Sequence, residues 1–340
     1  MNVTTIGIDL AKSVFQLHGV DAQGEVVFRK KLRRPAVLDF LRDLPPCLVG
    51  MEACATAHFW AREIGALDHD VRLIPPACVK PYVRRQKNDA ADAEAICEAV
   101  TRPNMRFVPI KSAERQGVLM LHRSRDLLMR QRTMILNAAR AHLAEFGIIT
   151  AQGPHKLLTL IQSIEAGDGP ELPAMARAAL TSLVNQLAML SDEIRQLDRQ
   201  LMAWHRADET SQRLATVPGI GLITATALAA SVPDPGIFTN GRQFAAFLGL
   251  VPRQSSSGGK DRLGRISKMG DGYLRRLLVV GATSVVRRAD SNPSATGTWV
   301  RGLLERKPAR LVTVAVANKT ARIAWVILAR GETYRAPMTA

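Results

Sequence analysis

The chain has 340 residues, of which 47% are hydrophobic and 22% charged. That balance excludes a disordered polymer and leaves room for two or three domains of ordinary size. Forty-six Lys and Arg oppose thirty Asp and Glu, a formal charge of +16, which points first to a polyanionic partner and second to an anionic membrane surface. Eighteen basic and five acidic residues from Arg242 onward leave +13 there, against +3 in residues 1–241. The C-terminal third is therefore the better candidate for a phosphate-binding surface.

MNVTTIGIDLAK lacks the basic-then-apolar pattern of a secretory leader and enters an alternating strand at once, so a cytoplasmic chain is expected. Residues 4–10 read as a strand with Asp9 near its end. FQLHGVDAQGEVVFRKKL reads as two antiparallel strands joined through Asp21 to Gly24. CLVGMEA is a further strand placing Glu52 at a comparable edge, followed by the amphipathic helix HFWAREIGAL and the short strand VRLIPP. This strand-to-helix order predicts an α/β layer with side chains gathered at the ends of its sheet.

After Pro81 the chain turns from basic to helical, with Asp89 and Asp92 three residues apart and so on nearly the same helix face. From about Ser112 to Phe146 the pattern is a long basic amphipathic helix, carrying Leu119, Arg123, Leu127, Arg130 and Met134. A Gly/Pro-rich interval, Gly147 to Pro173, separates it from another amphipathic helix over roughly Ala174 to Trp204. The two helices suit either a coiled arm or dimer contact, or a short packed hairpin.

LATVPGIGLITATALAASV reads as helix, tight turn and helix. The turn through Pro218, Gly219 and Gly221 serves either packing or the binding of a backbone phosphate by its amides. The apolar run from Leu214 to Val232 is long enough to raise a membrane span, but its Pro and Gly residues favour a soluble hairpin, and no membrane partner is expected. VPRQSSSGGKDRLGRISKMGDGYLRR is expected to be a flexible polar loop leading into the helix YLRRLLVVGATSVV, with a last helix around Leu311 to Arg330. Cys47, Cys54, Cys78 and Cys97 lack paired CxxC spacing and are read as reduced core cysteines. Trp60, Trp204, Trp299 and Trp325 are read as core or interface residues.

Asp9, Glu52, Asp89 and Asp92 come from two strand ends and one helix face. Carboxylates so gathered suit paired divalent cations beside a scissile phosphate, where they offset developing oxygen charge and activate a hydroxyl or water. Taken singly, each acid reads equally well as a solvated surface residue or helix cap.

In this order, GIDLAK, GMEAC and KNDAADA resemble the DEDD motifs of the RuvC-like domain in an insertion-sequence transposase family, the bridge-RNA-guided recombinases. Position by position, the resemblance implies that Asp9, Glu52, Asp89 and Asp92 are the first to fourth acids, binding a divalent metal, Mg2+ by expectation. AxVPGIGxxTA near residues 215–225 and FAAFLGLVPRQSSSGGKDRLGRISKMGDGYLR near 244–275 resemble the family's second domain, so the likeness covers nearly the whole chain. The fold implied is α/β plus α, in three parts. Residues 1–110 would form a RuvC-like, ribonuclease-H-type mixed sheet with helices, 111–208 a long-helix coiled-coil or oligomerisation region, and 209–340 a mostly helical transposase domain with a serine-glycine loop.

The resemblance also implies a serine hydroxyl that attacks DNA phosphate and forms a temporary phosphoserine link. Ser257, immediately before Gly258, matches it, with Ser255 and Ser256 leaving the register open by one or two residues. Lys260, Arg262, Arg265 and Lys268 are the preferred backbone-binding residues around this loop, extended by Arg275 and Arg276; Lys80, Arg84, Arg85 and Lys87 form a second patch close to the acids. Donor and target DNA are implied as partners, read through a noncoding bridge RNA, and a homodimer or homotetramer is implied as the assembly. Two other readings stay open on the residues alone. One is a structure-selective nuclease or junction resolvase using the same acids. The other is a non-enzymatic nucleic-acid-binding assembly protein.

Overall fold

A computed structural model describes residues 2–83 and 88–336. The chain divides into two compact units, one of residues 1–116 with 230–244 and one of 117–229 with 245–340.

In the first unit, strands β1 (Thr5–Asp9), β2 (Val14–Val20) and β3 (Val26–Arg33) form an antiparallel meander. The Asp21–Gly24 turn forms because the Asp21 carboxylate accepts from the Gln23 and Glu25 amides, while Gly24 takes φ 86°. Helix α1 (Val37–Arg42), which shows no periodicity long enough to mark it in the sequence, leads to β4 (Leu48–Glu52), helix α2 (Ala57–Gly65) and β5 (Asp70–Ile74). β4 and β5 run parallel to β1, giving the order β3-β2-β1-β4-β5. This is the ribonuclease-H-type, RuvC-like mixed sheet. A short helix α3 (Pro76–Val79) and helix α4 (Asp89–Val100) follow.

Strand alternation divides the side chains between two faces. Ile6, Ile8, Val49 and Met51 are buried together with Leu41 of α1 and Trp60 and Ile64 of α2. The opposite face receives α4, whose Ile96, Ala99 and Val100 pack with Ile74 and Val79.

The second unit is mostly helical. Helix α5 (Ala113–Ala144, which starts in the first unit) and α7 (Ala174–Ala207) match the two long amphipathic patterns. The interval between them is not merely a separator. It contains helix α6 (Pro154–Ala166), opened by Pro at its first turn and closed by Gly167 at φ 82°. Leu157, Ile161 and Ile164 of α6 share a core with Leu136 and Leu143 of α5 and Leu180 and Leu187 of α7. Along α7 the buried positions are Leu180, Leu187, Ile194 and Leu201, a seven-residue repeat of coiled-coil type. Arg125 of α5 is ion-paired with Asp198 of α7 at 2.5 Å.

Helix α8 (Glu209–Ala215) and helix α9 (Leu222–Ser231) flank the glycine turn, so the apolar run from Leu214 breaks into pieces too short to span a bilayer. The turn packs. A Cβ on Gly281 would come within 2.9 Å of the Gly219 carbonyl carbon, and Gly219 itself sits at φ 88°. After α10 (Gly241–Phe247) comes a two-stranded hairpin, β6 (Pro252–Gln254) with β7 (Leu263–Ile266), where a flexible loop was expected. Helices α11 (Gly272–Arg287), α12 (Ala295–Leu304) and α13 (Ala309–Arg330) complete the chain. α13 is the one helix among the described residues long and apolar enough to cross a membrane. Its Val312, Val316, Ala317, Thr320, Ala324 and Ile327 are nevertheless buried within the unit, and Lys319 lies 4.1 Å over the Trp299 ring.

A buried polar junction links three of these helices. His122 of α5 lies 3.0 Å from the Tyr273 hydroxyl of α11 through Nδ1 and 3.1 Å from the Thr226 hydroxyl of α9 through Nε2. Burial chiefly, then the charge of Arg125, pushes the His122 pKa down to about 4. The folded state thus holds this imidazole neutral, whereas the unfolded chain protonates it near pH 6.5. The stability it contributes is present above about pH 6.5 and lost as pH falls toward 4, a change of about 2–3 kcal/mol. Urea unfolding at pH 7 and pH 4.5 should show that drop, and His122→Gln should flatten it; an equal drop in the variant would assign it to other groups.

Candidate active site

The acids are assembled by one repeated local rule. β1 carries Gly7-Ile8-Asp9 and β4 carries Gly50-Met51-Glu52. The strands are parallel neighbours with Gly7 opposite Gly50 and Ile8 opposite Met51, so Asp9 and Glu52 emerge side by side at the same sheet edge. Alternation sends Ile8 and Met51 into the α1–α2 core and turns the glycines and acids to the other face, where α4 lies.

The glycines let α4 sit against the strands. A Cβ on Gly7 would lie 2.8 Å from Cys97 Cα and closer still to the Ala93 carbonyl, and one on Gly50 would lie 2.8 Å from Val100 Cβ. With Ala93 over Gly7, the preceding turn of α4 brings Asp89 and Asp92 to the end of β1. That turn is fixed by Asn88, whose side chain accepts from the Ala90 amide at 3.0 Å. The positive end of the helix dipole favours both carboxylates there.

Asp9, Asp89 and Asp92 each offer an oxygen within 4.8 Å of the others. Oxygen ligands stand about 2.0–2.6 Å from Mg2+ or Ca2+, so opposite ligands of one ion lie about 4–5 Å apart, and the three carboxylates fit a single hard divalent cation. Glu52 stands outside that trio. Its carboxyl is pushed above the usual range, chiefly by burial and then by the negative charge of Asp92. Crowded like charges of this kind gain from a cation between them.

Cys54, two residues beyond Glu52, is exposed, which corrects its reading as a core residue; the chain turns outward here through Cys54 N donating to the Glu52 carbonyl. Cys47 and Cys97 are buried, and burial pushes their thiols up to about 11 and about 12. Trp60 is buried, and the other three tryptophans are half-buried.

In the second unit, Ser255, Ser256 and Ser257 form the outer end of the hairpin and are exposed, as are Lys260, Arg262, Arg265 and Lys268. The base of the hairpin is held by Arg275, which donates from Nη1 to the Leu248 carbonyl at 3.0 Å and the Met269 carbonyl at 2.9 Å. Arg276 is paired with Asp126 and lies over the Tyr273 ring. Among the first-unit cations, Lys80 is exposed; Arg84, Arg85 and Lys87 lie outside the described residues. The holding role of Arg275 leaves no mark in the sequence, because it depends on carbonyls 27 and 6 residues away.

Residues 6–148 match a DEDD transposase family model, and residues 211–296 match the model described as transposase IS116/IS110/IS902 family. A probable family 20 transposase of Pseudomonas aeruginosa is 53% identical, aligned over 98% of this chain and 99% of its own length. The transposase for insertion sequence element IS1328 of Yersinia enterocolitica is 43% identical over 98% and 99% of the two chains, and that for IS1111A of Coxiella burnetii 38% over 98% and 92%. With likeness running through both units, the chain belongs to the IS116/IS110/IS902 family of transposases, enzymes that recombine DNA.

Proposed function

We propose that this transposase excises and inserts its element by serine attack on DNA phosphates, with Asp9, Glu52, Asp89 and Asp92 holding Mg2+. The observation that carries the reading is the convergence of Asp9, Asp89 and Asp92 within 4.8 Å. When bound, the cation offsets charge on the phosphate oxygens and lowers the cost of ionising the attacking hydroxyl.

Ser257 supplies the nucleophile. Its oxygen bonds to phosphorus as a deoxyribose oxygen leaves; the serine proton goes to solvent and the departing oxygen takes one up. A hydroxyl from another DNA end then attacks the phosphoserine, releasing the serine and rejoining the strand without loss of a high-energy bond. Lys260, Arg262, Arg265 and Lys268, with the first-unit patch Lys80, Arg84, Arg85 and Lys87, grip donor and target backbones, while Arg275 and Arg276 support the same surface from α11. A noncoding bridge RNA selects the sites, consistent with cations suited to backbone rather than base contact. The parts divide as 1–110 for the acids, 111–208 for assembly and 209–340 for the serine. The α7 seam is already buried within one chain, so a homodimer or homotetramer would meet on residues of that helix left exposed, Met175, Met189 and Met202.

The test is recombination in cells on the native flanking DNA, joined to recovery of a covalent protein–DNA adduct. Ser257→Ala should lower recombination about 10^3-fold or more and remove the adduct. Normal recombination by the variant would exclude Ser257, and hydrolytic cutting without any adduct would favour the nuclease alternative.

A further inference from the structure

The register of the β6–β7 hairpin carries more than its position. Lys260 N donates to the Ser257 carbonyl at 3.1 Å, with Gly258 at φ 57° and Gly259 at φ 75° between them. This is a two-residue turn with positive φ at both positions, a conformation that glycine adopts without steric cost. Outward from that turn Ser257 faces Lys260, and Ser255 N donates to the Arg262 carbonyl at 2.9 Å. Ser256 therefore faces Asp261, and Gln254 faces Leu263. Facing residues share a side of a hairpin and sides alternate along it. Ser257 thus shares its face with Ser255, Lys260 and Arg262, while Ser256, Gln254 and Asp261 occupy the other.

The second face is tied together. Ser256 Oγ donates to Asp261 Oδ1 at 3.0 Å and accepts from Gln254 Nε2 at 2.9 Å and from Arg262 N at 3.2 Å. Gln254 Nε2 also reaches Asp261 Oδ1 at 3.2 Å. The one proton and both lone pairs of Ser256 are committed. The only acid of the tip is turned away from the face that bears its two cations, which keeps a negative charge off the side where a phosphate would dock.

We propose that Asp261 is a positioning residue for the reaction. Acting through Ser256 and Gln254, it locks the tip so that Ser257 meets a DNA phosphate from the cationic face with Lys260 and Arg262 beside it. The inference rests on Ser257 being the nucleophile and assigns Ser256 a structural hydroxyl.

The experiment measures the rate of adduct formation by the full-length protein on element-end DNA at saturating concentration, with DNA affinity measured separately and the modified serine mapped by peptide mass. Asp261→Ala and Ser256→Ala should each slow adduct formation roughly 10- to 100-fold with affinity unchanged, as a small misplacement of a nucleophile does. Asp261→Asn, which keeps an oxygen acceptor toward Ser256, should restore most of the rate. An Asp261→Asn protein as slow as Asp261→Ala would show that the charge acts as a base and overturn the positioning role. So would an Asp261→Ala protein forming the Ser257 adduct at the wild-type rate. An adduct mapped to Ser255 or Ser256, or none in the wild type, would instead remove the nucleophile reading, and this inference with it.

Discussion

Asp9→Asn is expected to lower recombination about 10^3-fold or more while leaving the fold and DNA binding in place. Asp9 ends β1 and faces the first turn of α4, so its carboxylate is one of the three that come close enough together to hold a single cation. A separate readout distinguishes lost metal from lost fold. Millimolar Mg2+ should stabilise the wild-type protein against unfolding, by about 2.7 kcal/mol at a hundred times its Kd, and should leave Asp9→Asn unmoved. A fully active Asp9→Asn protein would overturn the metal role of Asp9; an unstable, inactive one would make it a folding residue.

Gly7→Ala should cost about 3 kcal/mol or more and abolish activity with it. The added methyl would meet the Ala93 carbonyl and the Cys97 backbone, groups of α4 that cannot rotate away as a side chain end can. The helix must lift, and the turn carrying Asp89 and Asp92 lifts with it from Asp9. Gly117, on α5, is the internal control: nothing lies within 4 Å of its added Cβ, and its φ is not in the left-handed region. Gly117→Ala should stabilise the protein by up to about 1 kcal/mol through helix propensity and a less flexible unfolded chain. Thermal or urea unfolding of the two variants checks both signs. Equal and small effects would mean that α4 does not press on β1 as described.

Much of the first unit was legible from local pattern. Alternation in TTIGIDL and CLVGMEA marked both strands and put Asp9 and Glu52 at their ends, and the three-residue spacing of Asp89 and Asp92 put them on one helix face. Such signals are local, since strand and helix periods follow from backbone geometry over a few residues. The ordered GIDLAK, GMEAC and KNDAADA segments, with the long C-terminal match, carried the family. The long helices were legible for the same reason, but α6 was hidden in an interval whose Gly and Pro residues are its boundary signals rather than a mark of disorder.

What these elements do to one another depends on packing between segments far apart in the chain. Gly7 and Gly50 read as ordinary strand residues until α4 is laid across them, and Gly219 reads as a turn former until Gly281 of a helix some sixty residues later packs on it. The convergence of the three aspartates rests on α4 lying close against β1, and the placing of Glu52 beside Asp9 on parallel pairing of β1 with β4, contacts distant in sequence that no local pattern encodes. The same holds for the serines. Gly258 and Gly259 signal a turn, but which of Ser255, Ser256 and Ser257 stands with the cations is set by hairpin register, and a slip of one residue would turn every side chain to the other face.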